Sequence, residues 1–124
     1  MNITTLEALR GLYPPARERS VKKQIDHLDV HCAKFIALSP LLVMSSSGSS
    51  GALDASPRGG EPGFVQVQGT HTLLIPDAPG NNRLDTLENI VQTGQVGLLF
   101  LVPGVDETPR INGTAVLSTA DADL

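Results

Sequence analysis

The hydrophobic rhythm of the chain changes once, near residue 39. Before that point Val21, Ile25, Leu28, Cys32 and Phe35 recur at steps of four and three. Such spacing lays one apolar stripe along a helix, so a helix is predicted from about Ala16 to Leu38, stopped by Ser39-Pro40. Beyond it the text is β-like. LLVMSSS (41–47), ALDASPR (52–58), FVQVQ (64–68), TLLIP (72–76), QVGLLFLV (95–102) and RINGTAVLS (110–118) are strand-length runs bounded by Gly, Pro, Ser or Asn. Their short connections predict antiparallel pairing. SSSGSSG (45–51) has the composition of a flexible linker, but it is short and lies between two strands, and a hairpin loop is the better reading.

One segment interrupts the strands: DAPGNNRLDTLENIVQTG, residues 77–94. Leu84, Leu87, Ile90 and Val91 form a helical stripe, Asn81 or Asn82 suits the N-cap, and Gly94 suits the left-handed position after the last turn. Arg83 would then begin a short helix. Free N–H groups, the positive end of the helix dipole and a guanidinium would converge there, as a phosphate site requires. A capped surface helix with an incidental arginine is the alternative.

VGLLFLV is almost continuously apolar, which in an antiparallel sheet means cover on both faces. With 124 residues and four aromatic side chains, a second copy of the chain is the economical cover. The length, with 40% hydrophobic residues, suits one domain that buries very roughly 65% of its unfolded surface. A net charge of −4 argues against nucleic acid or an anionic membrane as partner. The first twenty residues lack an apolar core followed by a cleavage site, and no run approaches spanning length, so a cytoplasmic protein is expected. Cys32, the only cysteine, excludes an internal disulfide and a cysteine-based zinc site, and its place on the stripe makes it a core thiol rather than a nucleophile. His27 and His31 stand four apart on the predicted helix, but HLDVH lacks the Glu of the zinc-protease motif, so exposed or capping histidines are favoured over a metal. His71, in a GTHT turn, is expected to be solvated.

Charge is distributed unevenly. Of nine Lys and Arg residues, six lie in the first 34 positions, leaving Arg58, Arg83 and Arg110 among nine Asp and Glu. Lone arginines in an acidic stretch suggest placement for recognition. Arg58 sits in DASPRGGEPGF, between a proline and two glycines.

KQIDHLDVHCAKFIALSP, LDASPRGGEPGFV, LLIPDAPGNNRLDTLENI and VGLLFLVPGVDETPRINGTAVLS together resemble the flavin-binding split-barrel proteins related to pyridoxamine 5'-phosphate oxidase, in particular a bacterial subgroup of uncharacterised members with this SPRGG and GNNR wording. The resemblance spans about residues 22–119. It implies a mainly β fold with flanking helices: a six-stranded antiparallel split β-barrel with an N-terminal helix plus one short helix. It also implies a homodimer with FMN in two clefts at the interface. Residues 1–124 would be one such domain, 1–20 an N-terminal extension, and the C-terminal part of the usual family domain would be missing.

The resemblance also implies site residues. It puts Arg58 and Arg83 at the FMN phosphate, where bidentate guanidinium contacts suit a dianion. Ala55, Ser56 and Pro57 would line the neighbouring wall, with Gly59 and the glycine after it allowing close approach of the backbone. Ile75 and Pro76 take the strand end where relatives contact the flavin, Asn81 and Asn82 would add polar contacts, and Thr108 falls near the flavin ring. Arg110 is a candidate substrate or structural ion-pair residue. Ile75-Pro76 stands where the vitamin enzyme has a Tyr-Thr type of pair, and the segment gripping its substrate's phosphate is absent, so oxidation of pyridoxamine 5'-phosphate is not expected. The function implied is an FMN-dependent oxidoreductase acting on an unidentified small-molecule redox substrate. A non-catalytic flavin carrier or sensor, or a haem-handling split barrel, is the alternative.

Overall fold

A computed structural model describes residues 2–12, 26–77 and 84–119. The predicted positions 16–25 of the long helix, and the site candidates Asn81, Asn82 and Arg83, lie outside the described residues.

The order of elements is α1 (Leu6–Leu12), α2 (Val30–Leu38), β1 (Leu41–Ser47), β2 (Leu53–Gly59), β3 (Gln66–Gln68), β4 (Thr72–Leu74), α3 (Asp85–Thr93), β5 (Gln95–Leu101) and β6 (Arg110–Thr114). Every predicted strand is present. Their hydrogen bonding divides them between a four-stranded antiparallel sheet, in the order β2-β1-β5-β6, and a two-stranded antiparallel ladder of β3 and β4. The fold is thus mainly β with three helices among the described residues. SSSGSSG forms a β-hairpin as expected, its three leading serines ending β1 and the rest turning into β2: Ser47 pairs with Leu53, and Gly48 N–H donates to the Ala52 carbonyl at 2.8 Å.

The helices differ from the sequence expectation in three ways. First, α2 starts at Val30, well inside the predicted span. Asp29 is its N-cap, in extended conformation, with its carboxylate accepting from Cys32 N–H at 2.7 Å. One residue earlier, Leu28 N–H donates to the Thr70 carbonyl at 2.7 Å, so Leu28 belongs to a coil tied to the β3–β4 turn. His27 therefore precedes the helix and is not a turn away from His31 on one face.

Second, α3 begins at Asp85 with Leu84 at the N-cap position and no capping side chain. Its docked face shares Ile90 with the predicted stripe but is otherwise different. Thr86, Asn89 and Ile90 are buried while Leu84 and Val91 are exposed. The partner surface is polar, and hydrogen bonds dock the helix: Asn89 Nδ2 donates to Ser46 Oγ at 3.0 Å, and Thr93 Oγ1 to the Ser47 carbonyl at 2.7 Å. Gly94 closes the helix at φ 68°, the left-handed conformation that glycine adopts at least cost.

Third, α1 was not anticipated. Thr5 Oγ1 accepts from Ala8 N–H at its start, and no residue of α1 is buried.

The core forms where the inner sheet face, α2, α3 and the small ladder meet. It contains Phe35, Ile36, Leu42, Met44, Val65, Ile90, Leu98 and Phe100. Ile36, Leu42 and Phe100 are completely buried, each contributing roughly 1.5–3 kcal/mol by leaving water. Ser39, the expected stop, is buried at the C-cap of α2, and its hydroxyl lies 2.6 Å from the Leu101 carbonyl and 2.7 Å from that of Leu41. It thereby ties the helix end to both central strands.

Within one chain the other sheet face is only partly covered. Leu98 and Phe100 are buried, but Gly97, Leu99 and Leu101, which point the other way, are only half-buried. Leu41 and Val43 on β1 are half-buried on that face, and Leu53 on β2 is 83% exposed. No helix among the described residues is long and apolar enough to cross a membrane.

Candidate functional site

Strand alternation sorts the β2 candidates onto two faces. Asp54, Ser56 and Arg58 point inward and are half-buried, whereas Ala55, Pro57 and Gly59 point outward and are exposed. Register puts Arg58 opposite Leu42, Ser56 opposite Met44 and Asp54 opposite Ser46. Arg58 therefore emerges beside the apolar core, and its side chain is only 9% exposed.

A guanidinium in that position needs partners. Arg58 Nη1 donates to Asp77 Oδ1 at 2.8 Å. Asp77 follows β4 and is half in solvent, its side chain 55% exposed. Arg58 Nε, by contrast, is buried with no hydrogen-bond partner among the described residues. A buried N–H of a cation without an acceptor is costly, and this edge of the planar fork is the part that an anionic ligand would satisfy.

Beside it runs a chain of hydroxyls. Thr86 Oγ1 donates to Asp54 Oδ2 at 2.6 Å, which uses its only proton, so the 3.1 Å contact between Ser56 and Thr86 has Ser56 as donor. Ser56 thus has its proton committed to α3 and offers lone pairs, not a donor, to any ligand near Arg58. The first turn of α3 carries Asp85 and Glu88, which already compensate the positive end of the helix dipole. Among the described residues, the attraction for an anion here rests on Arg58.

The remaining candidates are spread out. Ile75 packs against the core, and Pro76 is exposed next to it. Gly59 and Gly60 are approached by the chain itself: a Cβ on Gly59 would lie 3.3 Å from the Pro40 carbonyl, and one on Gly60 3.0 Å from the Phe64 ring. Thr108 is exposed in the loop before β6, and Arg110 opens β6 opposite Leu99 on the outer face. At the other end of that face is an open cleft of about 980 Å³, lined by Ser45, Leu53, Ala55, Gly97, Asn112 and Thr114 among others. Its floor depends on Gly97, where a Cβ would lie 2.8 Å from Ser45 Oγ and 2.9 Å from Asn112 Oδ1.

Asp77, Thr86 and Asp54 were missed by sequence reasoning. Asp77 is 19 positions from Arg58, and only the β3–β4 ladder returns the chain to it. Its one local signal was a charged residue just past the apolar strand TLLIP.

Cys32 and the three histidines have structural neighbours. Burial first, then the Asp29 and Glu107 carboxylates, push the Cys32 thiol above its ordinary range, and Cys32 packs against the core as expected. His31 Nε2 lies 2.9 Å from both Glu107 oxygens, and that hydrogen bond is the main cause raising its pKa. His27 contacts Asp26, and His71 Nδ1 contacts Thr70 Oγ1 at 2.8 Å. No group of three or more His, Cys, Asp or Glu among the described residues could hold a metal ion.

An antiparallel β protein with a buried arginine, one N–H of which still wants an acceptor, has the makings of an anion-binding protein. The sequence profile of the pyridoxamine 5'-phosphate oxidase family matches residues 28–124, and the chain belongs to that family. Members of that family commonly bind flavin. No curated protein and no solved structure matches the chain.

Proposed function

We propose that the protein is an FMN-binding flavoprotein, a homodimer that serves as an oxidoreductase on a small-molecule substrate. The observation that carries this reading is the buried, unpartnered Nε of Arg58 in a chain of a flavin-binding family. A phosphate monoester supplies what that nitrogen lacks: a dianion with several acceptors matched to a planar fork. Arg58 would hold the FMN phosphate, with Arg83 the proposed second ligand. When bound, FMN supplies the redox chemistry, and the chain binds and orients it.

The open outer sheet face supports a second copy as its cover. Leu41, Val43, Leu99 and Leu101 make that face apolar, and Leu53 adds an exposed side chain at its edge. Obligate homodimer interfaces have this core-like character. In this reading the four- and two-stranded sheets are the parts of a six-stranded split barrel, and a flavin ring would lie against residues such as Ile75, Pro76 and Thr108. An acidic chain with one cysteine suits the cytoplasm.

The test is the visible absorption spectrum and elution volume of the purified protein with added FMN. The expected result is a dimer with flavin bands that persist through gel filtration and bleach with a reductant. A colourless monomer that takes up no FMN refutes the proposal.

A further inference from the structure

Arg58 already holds one anion, and holds it incompletely. Asp77 reaches Nη1 alone, at 2.8 Å, while Nε is buried without a partner among the described residues. The two partners are also unequal. Arg58 is 9% exposed and cannot return to water without opening its surroundings, whereas Asp77 is 55% exposed and can be rehydrated at little cost. Nor does the ladder hold Asp77 in place: β4 ends at Leu74, three residues earlier.

We propose that Asp77 is a resident carboxylate on the anion site, an intramolecular competitor that an incoming phosphate must displace from Arg58. The inference rests on the FMN reading for the ligand's identity, while the exchange itself needs only a phosphate group. Asp77 then determines which anions bind. A tethered carboxylate competes at an effective concentration on the order of millimolar, so a free carboxylate, with like charge and like geometry, gains nothing by exchange. A phosphate monoester brings close to two charges and three acceptor oxygens, enough to replace the Asp77 contact and to reach Nε as well. The site thereby discriminates against carboxylate metabolites by charge. Asp54 is four residues from Arg58 along extended β2, and its Oδ2 accepts from the Thr86 hydroxyl.

Asp77→Asn keeps the shape and one acceptor but removes the charge. FMN, riboflavin and inorganic phosphate are titrated against parent and variant by flavin fluorescence and, for phosphate, by thermal shift. The Nε–H resonance of Arg58 is followed by NMR in the parent. The expected result is FMN and phosphate binding roughly two- to fivefold tighter in Asp77→Asn, the range for a half-exposed ion pair, with riboflavin unchanged and the parent's Nε–H resonance shifted by phosphate. Equal or weaker binding of both anions by the variant overturns the proposal, and FMN bound by the parent would still leave the flavin reading standing. Tighter phosphate binding by the variant with no FMN bound by either protein supports the resident carboxylate and removes the flavin. Should Asp77→Asn not fold, the parent decides: an Arg58 Nε–H resonance unmoved at saturating FMN and phosphate overturns the proposal.

Discussion

Replacing Arg58 by Ala tests the site most directly. The side chain is 9% exposed, so its contact with a bound phosphate is little screened by water, and a hydrogen bond to a charged group is worth roughly 1.5–3 kcal/mol. That corresponds to a loss of about 10- to 150-fold in FMN affinity. The lower part of the range is expected, because the parent gives up its Asp77 contact on binding and the Ala variant does not. Arg58→Lys should recover only part of the loss, since an ammonium cannot reproduce the fork that presents Nε and the Nη atoms in one plane. Removal of the arginine leaves Asp77 without its partner, but that carboxylate is 55% exposed and water replaces the guanidinium. The fold should survive. Riboflavin, which lacks the phosphate, separates the two effects: it should bind the parent weakly and the variants equally, whereas a collapsed fold would lose both ligands together. Lys34→Ala, at an exposed position of α2, serves as the charge control and should leave FMN affinity within a few-fold. Fluorescence titration of the four proteins with both ligands is the assay. FMN binding by Arg58→Ala as tight as by the parent refutes the phosphate assignment.

Two further predictions concern the frame around the site. Gly94→Ala should destabilise the protein by roughly 1–2 kcal/mol in chemical denaturation, because φ is 68° and the new Cβ would lie 3.3 Å from the Ala115 carbonyl; an unchanged midpoint would deny that this cap ends α3. The His31–Glu107 contact raises the histidine pKa from its ordinary value of 6.5, so its stabilisation is fully present below that value and lost as pH rises through the higher folded value. Glu107→Gln should accordingly lower Tm more at about pH 5 than at about pH 9, and an equal effect at both pH values would show that the histidine charge plays no part.

Local physics made much of this fold readable from the sequence. The strands β1 to β6 were delimited by Gly, Pro, Ser and Asn punctuation, and Ser39 and Gly94 end their helices because a stop depends on a few consecutive residues. Cys32 was assigned to the core because its neighbours on the helix are apolar. Arg58 was singled out by its isolation among acidic residues, a property of the text alone. The points that differed, or that the sequence did not reach, depend on what an element meets. Periodicity extended α2 back through Leu28, whose N–H is instead spent on Thr70 across the fold. An apolar stripe was assigned to α3, yet the surface waiting for it carries Ser46, Ser56 and Asp54, so Thr86 and Asn89 turn inward and Val91 is left in water. Alternation along β2 sends Ala55 and Pro57 to the face opposite Arg58, a division that register with β1 decides. Above all, the sequence contains an arginine at 58 and an aspartate at 77 with nothing to join them. The β3–β4 ladder reverses the chain and brings the two to 2.8 Å, while Nε is buried with no acceptor among the described residues.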